Sequence, residues 1–492
     1  MMKTKIYLLF ILFLLTWGCD SFLEESSQDL IRPSRVTDLE QILLGDGYGS
    51  VSYYSTTIFT DEQMSTDIER PSLQKSYDQL KWLYIWDKNM FTDAGGGHIS
   101  AFWEQPYKGI LGCNLVLDYL DEMKGSDVLR ESIRGEALVL RAWYYLHLVN
   151  MFGIAYNQGE PSKDLGVPLK LDATVTGEFY VRNTVAEVYD QIEKDLLEGN
   201  RLLVANKHER TIYRIDDLAA KAILSRMYLY MENWDKALVY ADSVLDVNPV
   251  ILDLNDFARR TSNSTGGTAT VFKVTNPEEI IWVRQSRVGY DHSLSTSNSA
   301  LGPFVVSSEL TGRYERGTFE DLQAGTLHDL RAYFYFTWGM VSTKGDRREF
   351  INNGGAWTNK GISDQGIRTA ELYLNRAEVY AQKYLKEGNE AYRSAALADL
   401  NKLRELRFNK TYSNGAVNIT DARELLTFVL DERFRELCGQ TNHRWCDLRR
   451  YGMTVTHYLR PEGQTYEQEM GRYVLPIPEL VMEQNPYLVQ NP

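Results

Sequence analysis

The chain has 492 residues, of which 43% are hydrophobic and 24% charged, and carries a formal charge of −14. That balance builds a globular body with a large core, and four cysteines are too few for a disulfide-stapled scaffold. An acidic body repels phosphate backbones and anionic lipid, which argues against nucleic acid as a partner.

Lys3 and Lys5 precede an apolar run from Ile6 to Leu15, followed by Thr16-Trp17-Gly18-Cys19. A basic start, a short apolar core and a small residue before a cleavage point make a secretory signal, and the run is too short to span a bilayer. Cys19 directly after Gly18 makes the leader similar to a bacterial lipoprotein signal, in which the new N-terminal cysteine is acylated. Ordinary secretion with a free Cys19 is the alternative. Residues 1–18 are expected to be removed, 19–40 to form a lipidated, acidic tether, and 41–492 to form one unit. Losing Lys3 and Lys5 takes the formal charge from −14 to −16.

From Gly45 to Gly97 the chain reads as irregular and aromatic, and helical spacing begins at Trp103, Tyr107, Ile110 and Leu111. Ile133 to Phe152 repeats apolar residues at three and four, and Gly153 stops it. Thr184 with Glu187 has capping-box spacing and opens a further helix to about Leu203. Asp216 to Pro249 reads as two helices broken at Glu232-Asn233, with alanines where their axes cross. Two helices in about 34 residues with a terminal proline are tetratricopeptide-like. Thr369 to Phe408 is a second such pair, turned at Gly388-Asn389. Helical scaffold is thus expected over about 100–250 and 366–450. Loop-rich chain is expected over 41–99, 251–365 and 451–492, with short strand-like runs at 279–283 and Tyr333–Phe336.

Motifs for chemistry are scarce. The seven histidines are scattered without a metal-protease pair, and no nucleophile elbow, P-loop or dinucleotide fingerprint occurs. Cys438, His443 and Cys446 offer only three zinc ligands at irregular spacing, so no metal is assigned; the two cysteines either pair or pack as small apolar groups. Nothing marks a cofactor or a catalytic residue.

Several strings together resemble the SusD/RagB-like family of Bacteroidetes surface lipoproteins. They are Cys19-Asp20-Ser21-Phe22-Leu23-Glu24, Trp103 through Leu117, Arg134-Gly135-Glu136-Ala137 to Phe152-Gly153, and Ala219 to Tyr230 with Trp234-Asp235-Lys236-Ala237. Arg368 to Glu378, Glu432-Arg433 with Glu436-Leu437, Arg444-Trp445 to Arg450, Leu475-Pro476-Ile477-Pro478 and Asn485-Pro486 complete an ordered set over nearly the whole chain. The Arg444 segment departs from the family at Thr441-Asn442-His443. The resemblance implies an all-α fold of four tetratricopeptide-like helix pairs with irregular loops gathered on one ligand-binding side. It also implies a non-enzymatic role: capture of an oligosaccharide at the cell surface, and delivery to a TonB-dependent SusC-like transporter in the outer membrane. Capture of a peptide, as in RagB-like members, and a secreted α-helical glycoside hydrolase stand as alternatives.

A sugar offers a C–H face on which aromatic rings stack and a hydroxyl rim for planar polar groups. Two loop segments supply both. The first contains Trp82, Trp86, Asp87 and Asn89; the second, over 284–357, contains Tyr290, Asp291, Trp338 and Trp357. Trp86 and Trp338 sit in strings that fit core packing as well. Trp103, Trp143, Trp234, Trp282 and Trp445 are expected to be structural, and Arg141, Arg444, Arg449 and Arg450 to tie helices together through buried pairs.

Overall fold

A computed structural model describes residues 33–49, 56–68, 71–92, 101–207, 211–256, 277–283, 303–315, 328–335, 337–343, 346–352, 366–440, 442–468 and 473–492. The leader and Cys19 lie outside the described residues. The expected tether is too long at its far end: Val36–Ile42 is a helix, α1, with Val36 and Leu39 buried in the core. The second correction is Pro71–Tyr84, helix α2, in chain expected to be irregular. Pro71 at its first position and Tyr77, Leu80 and Tyr84 on one buried stripe account for it. Of the aromatics that made this stretch look like loop, Tyr77 and Tyr84 form its core face.

The scaffold follows the expected pattern. It comprises α3 (Ala101–Tyr119), α4 (Asp127–Phe152), α5 (Val185–Ala205), α6 (Asp217–Tyr230) and α7 (Trp234–Leu245). After the insertion come α8 (Thr369–Glu387), α9 (Glu390–Arg407), α10 (Ala422–Leu437) and α11 (His443–Arg450). The pairs α3–α4, α6–α7, α8–α9 and α10–α11 are consecutive in sequence and in contact, α5 packs along α4, and α8 closes on α6, α7 and α10. The fold is all-α in class, with four tetratricopeptide-like pairs.

Local chemistry explains the boundaries. α4 begins a turn and a half before the expected Ile133, because Ser126 caps it by accepting the Leu129 N–H. At α5 the Glu187 N–H donates to Thr184 Oγ1 (3.2 Å) and the Thr184 N–H to the Glu187 carboxylate (2.8 Å), a complete capping box. Gly388 ends α8 with φ +65°, a left-handed position where glycine carries no steric cost. Where α4 and α5 cross, a Cβ on Gly199 would sit 2.9 Å from the Gly135 carbonyl oxygen, so the backbones approach closely only because both are glycine. At the α6–α7 crossing Ser225 Oγ donates to the Ala237 carbonyl at 3.1 Å, between small residues as expected.

Buried ion pairs tie the helices together. Arg141 grips Asp195 through two bonds of 2.7 and 2.9 Å, and Arg226 grips Glu371 through two of 2.6 Å. Glu436 accepts from Arg331, Arg368, Arg407 and Tyr335, and Arg368 and Arg407 also reach Glu279. Burial works against the Glu436 anion, but Arg407, Arg368 and Arg331 hold its carboxyl well below the usual range. Arg450 pairs with Glu378 and Asp447, and Arg444 with Asp61, as expected. Arg449 does not: it donates only to the Asn150 and Gly153 carbonyls.

Short antiparallel ladders complete the body. β1 (Gln63–Ser65) pairs with β3 (Phe304–Val306), and β2 (Ile280–Trp282) with β6 (Ile367–Arg368). β4 (Thr337–Thr343) pairs with β5 (Asp346–Asn352), and β7 (Thr456–Leu459) with β8 (Gln464–Glu467). The aromatic run read as a strand is instead a one-turn helix, Arg331–Phe334, because Arg331 is drawn inward by Asp329, Glu432 and Glu436. Cys113, Cys438 and Cys446 are separate buried thiols. No group of potential metal ligands gathers among the described residues.

Candidate functional site

The C-terminal end of α2 carries the first predicted segment. The helix closes with the Trp86 N–H on the Leu83 carbonyl (3.1 Å) and the Asp87 N–H on the Trp82 carbonyl (2.9 Å). That double closure normally places glycine in the left-handed position, yet here the residue is Trp86, with φ +52°. Its ring explains the exception. Trp86 is 4% exposed, donates its indole N–H to the Phe59 carbonyl at 3.0 Å, and stacks on His457 with centroids 4.2 Å apart. The expectation that Trp86 offers a face to ligand is therefore corrected: burial of the indole holds the turn in a conformation its backbone disfavours.

His457, on β7, is sandwiched. Tyr84 lies on its other face at 3.9 Å, and its ring nitrogens stand 2.6 Å from the Tyr84 carbonyl and 2.9 Å from that of Thr60. Burial lowers its pKa to about 4, although the two carbonyls favour the charged ring. This stack fastens the β7–β8 hairpin to the end of α2.

What remains at the surface is a compact set. Trp82 is half-buried, Asp87 likewise, and Asn89 is exposed. Asp87 Oδ1 accepts the Asn89 N–H at 2.8 Å, and Met90 and Phe91 pin the turn from beneath. Lys81 Nζ lies 5.5 Å from the Trp82 ring and 3.4 Å from Glu462 of the hairpin turn, which also accepts from Tyr77 at 3.2 Å. Tyr466, directly opposite His457 in the hairpin register, is half-exposed; burial and the nearby Glu462 and Asp87 carboxylates raise its phenol pKa. Trp82, Asp87 and Asn89 thus come together, and Lys81, Glu462 and Tyr466 join them. Sequence reasoning missed these three, although Thr456–Leu459 alternates exposed and buried residues before the turn glycine Gly463.

Of the second segment, Tyr290, Asp291 and Trp357 lie outside the described residues. Trp338 is on β4, its backbone opposite Ile351. The insertion nevertheless returns beside α2. Phe304, which begins β3, stacks on Tyr77 at 6.0 Å and tilts against Tyr84 at 4.7 Å, and the Ser65 N–H donates to Tyr84 Oη at 3.1 Å.

Helix pairs forming a scaffold, with an indole at the end of α2, a phenol on the β7–β8 hairpin and planar polar groups beside them, define the class: an all-α fold of tetratricopeptide-like pairs. A family model described as "Starch-binding associating with outer membrane" matches residues 21–229, and the SusD family model matches 325–492. The chain is 22% identical to SusD-like protein P25 of Formosa agariphila, covering 96% of this chain and 95% of the relative. It is 24% identical to SusD-like protein P2 of the same organism, with 99% of each covered. Its fold matches that of a SusD superfamily protein from Bacteroides vulgatus with a TM-score of 0.69, at 21% identity over 93% of this chain and 99% of that one. A SusD-like carbohydrate binding protein from the same species matches with a TM-score of 0.66, at 21% identity over 92% and 97%. The chain belongs to the SusD/RagB-like family.

Proposed function

We propose that this chain is a cell-surface lipoprotein of the outer membrane, anchored through Cys19 after removal of residues 1–18, that captures an oligosaccharide and hands it to a SusC-like TonB-dependent transporter. The observation that carries capture is the half-exposed Trp82 beside Lys81, Asp87, Asn89 and Tyr466. An indole face takes the C–H face of a sugar, and carboxylate, amide and ammonium groups take its hydroxyls. Tyr290, Asp291, Trp338 and Trp357 are proposed to supply the rest of the surface. Support comes from the return of their segment at Phe304, packed under α2, and from the outer-membrane and starch-binding description of the matching family model. The role is binding without turnover.

Titration calorimetry against a panel of polysaccharides and peptides, run beside a reducing-end product assay, tests this. The expected result is affinity for a glycan, no product, and loss of at least tenfold in affinity in Trp82→Ala. Hydrolysis of any glycan with no binding of the panel would overturn capture, and peptide binding alone would reassign the ligand. Failure of Cys19→Ser to release the protein from membranes would remove the anchor.

A further inference from the structure

A cavity of about 440 Å³ opens where the chain leaving α4, the approach to α5, helix α11 and the C-terminal segment meet. Ile154, Ala155 and Val474 give it apolar walls, Tyr473 an aromatic one, and Arg182 and Arg449 two cations. Both arginines are buried, at 8% and 2% exposure. Every other arginine buried among the described residues closes on a carboxylate. These two do not. Arg182 spends all its N–H groups on the Gly166, Phe152, Leu165 and Val489 carbonyls and on Asn491 Oδ1. Arg449 donates to two carbonyls, and its Nε–H is buried without an acceptor. Asp164 and the terminal residue Pro492 also line the cavity, but Asp164 Oδ2 accepts the Glu160 N–H and neither arginine forms an ion pair with either residue.

Buried charge in native proteins is paired, because an isolated ion forfeits its hydration. Burial lowers the pKa of both, Arg182 to about 10; the Tyr107 phenol opposes it at Arg182, and the Cys446 thiol with the Tyr189 and Tyr473 phenols at Arg449, but no carboxylate does. A guanidinium edge matches a planar carboxylate, and the cavity lies in the size range of small-molecule sites. We infer that this cavity is a binding site for a small organic carboxylate, whose head group is drawn to the Arg449 guanidinium, which lacks a carboxylate partner, and whose body rests on Ile154, Val474 and Tyr473. The inference is independent of glycan capture.

Calorimetry on the whole chain with sodium glucuronate, glucose and sodium sulfate tests it. Glucuronate is expected to bind, with glucose and sulfate at least tenfold weaker. Ala155→Phe, which fills the cavity while leaving both arginines in the chain, is expected to lose glucuronate at least tenfold while keeping its unfolding midpoint. No binding of glucuronate, or equal binding of glucose or sulfate, would each overturn the assignment. Should the cavity variant fail to fold, the comparison of glucuronate with glucose on the unaltered chain decides.

Discussion

Trp86 permits a test in which the sign of a difference matters more than its size. A left-handed backbone costs a residue bearing a Cβ about 1–2 kcal/mol relative to glycine. Burying an indole returns about 4–5 kcal/mol by area, and its bond to the Phe59 carbonyl about 1 more. The ring therefore outweighs the strain, which is why tryptophan stands where glycine usually does. Trp86→Ala keeps the strain and loses the ring, for an expected destabilisation of about 4 kcal/mol. Trp86→Gly loses the ring but relieves the strain. After about 0.4–1 kcal/mol for the freer unfolded glycine, it should be the more stable of the two by roughly half to one kcal/mol. Urea denaturation followed by far-UV circular dichroism reads both. An alanine variant as stable as the glycine variant, or more so, would refute the left-handed assignment. A loss below about 1 kcal/mol in Trp86→Ala, together with lost glycan affinity, would return Trp86 to the ligand surface.

Other consequences follow from the same geometry. Glu232 also sits at φ +57°, after α6, where its carboxylate accepts the Asn157 amide N–H at 2.7 Å; in Glu232→Gly the relief of about 0.5–1 kcal/mol of backbone strain is offset by the loss of that bond, so thermal unfolding should stay within about 0.5 kcal/mol of the wild type. Glu436→Gln strips the shared anion from Arg331, Arg368 and Arg407 and should cost about 3–5 kcal/mol; a loss under 1 kcal/mol would show the network to be dispensable. Glu62 is buried, accepts from the Gly439 N–H at 2.7 Å and from Thr60 Oγ1 at 2.9 Å, and burial lifts its pKa from 4.5 to about 7. Because the folded pKa is the higher one, its contribution is fully present below pH 4.5 and lost as pH rises through 7, by about 3 kcal/mol at most. Glu62→Gln should therefore gain on the wild type between pH 5 and pH 8, and a gap that does not change with pH would contradict this. His457 slopes the other way: burial lowers its folded pKa to about 4, so stability falls as pH drops from 6.5 toward 4, and His457→Gln should flatten that limb of the pH–stability curve.

The scaffold was legible in the sequence because its signals are local. Thr184 and Glu187 announce a capping box within four residues, Gly153 and Gly388 stop helices beside them, and the alanines of α6 show a close crossing without reference to the partner helix. The chain's place among SusD-like proteins rests on the order of short strings along the chain and needs no coordinates. Only tertiary structure decided the fate of individual aromatics and cations. Trp82 and Trp86 are four residues apart in one string, yet one is half-exposed and the other is clamped between His457 and Phe59, residues distant in sequence. Arg449 and Arg450 are neighbours in a single motif, but Arg450 finds Glu378 and Asp447 while Arg449 turns to backbone carbonyls at a cavity wall. Burial and charge pairing depend on what arrives from elsewhere in the chain, whereas helix caps and periodicity are complete within a few turns.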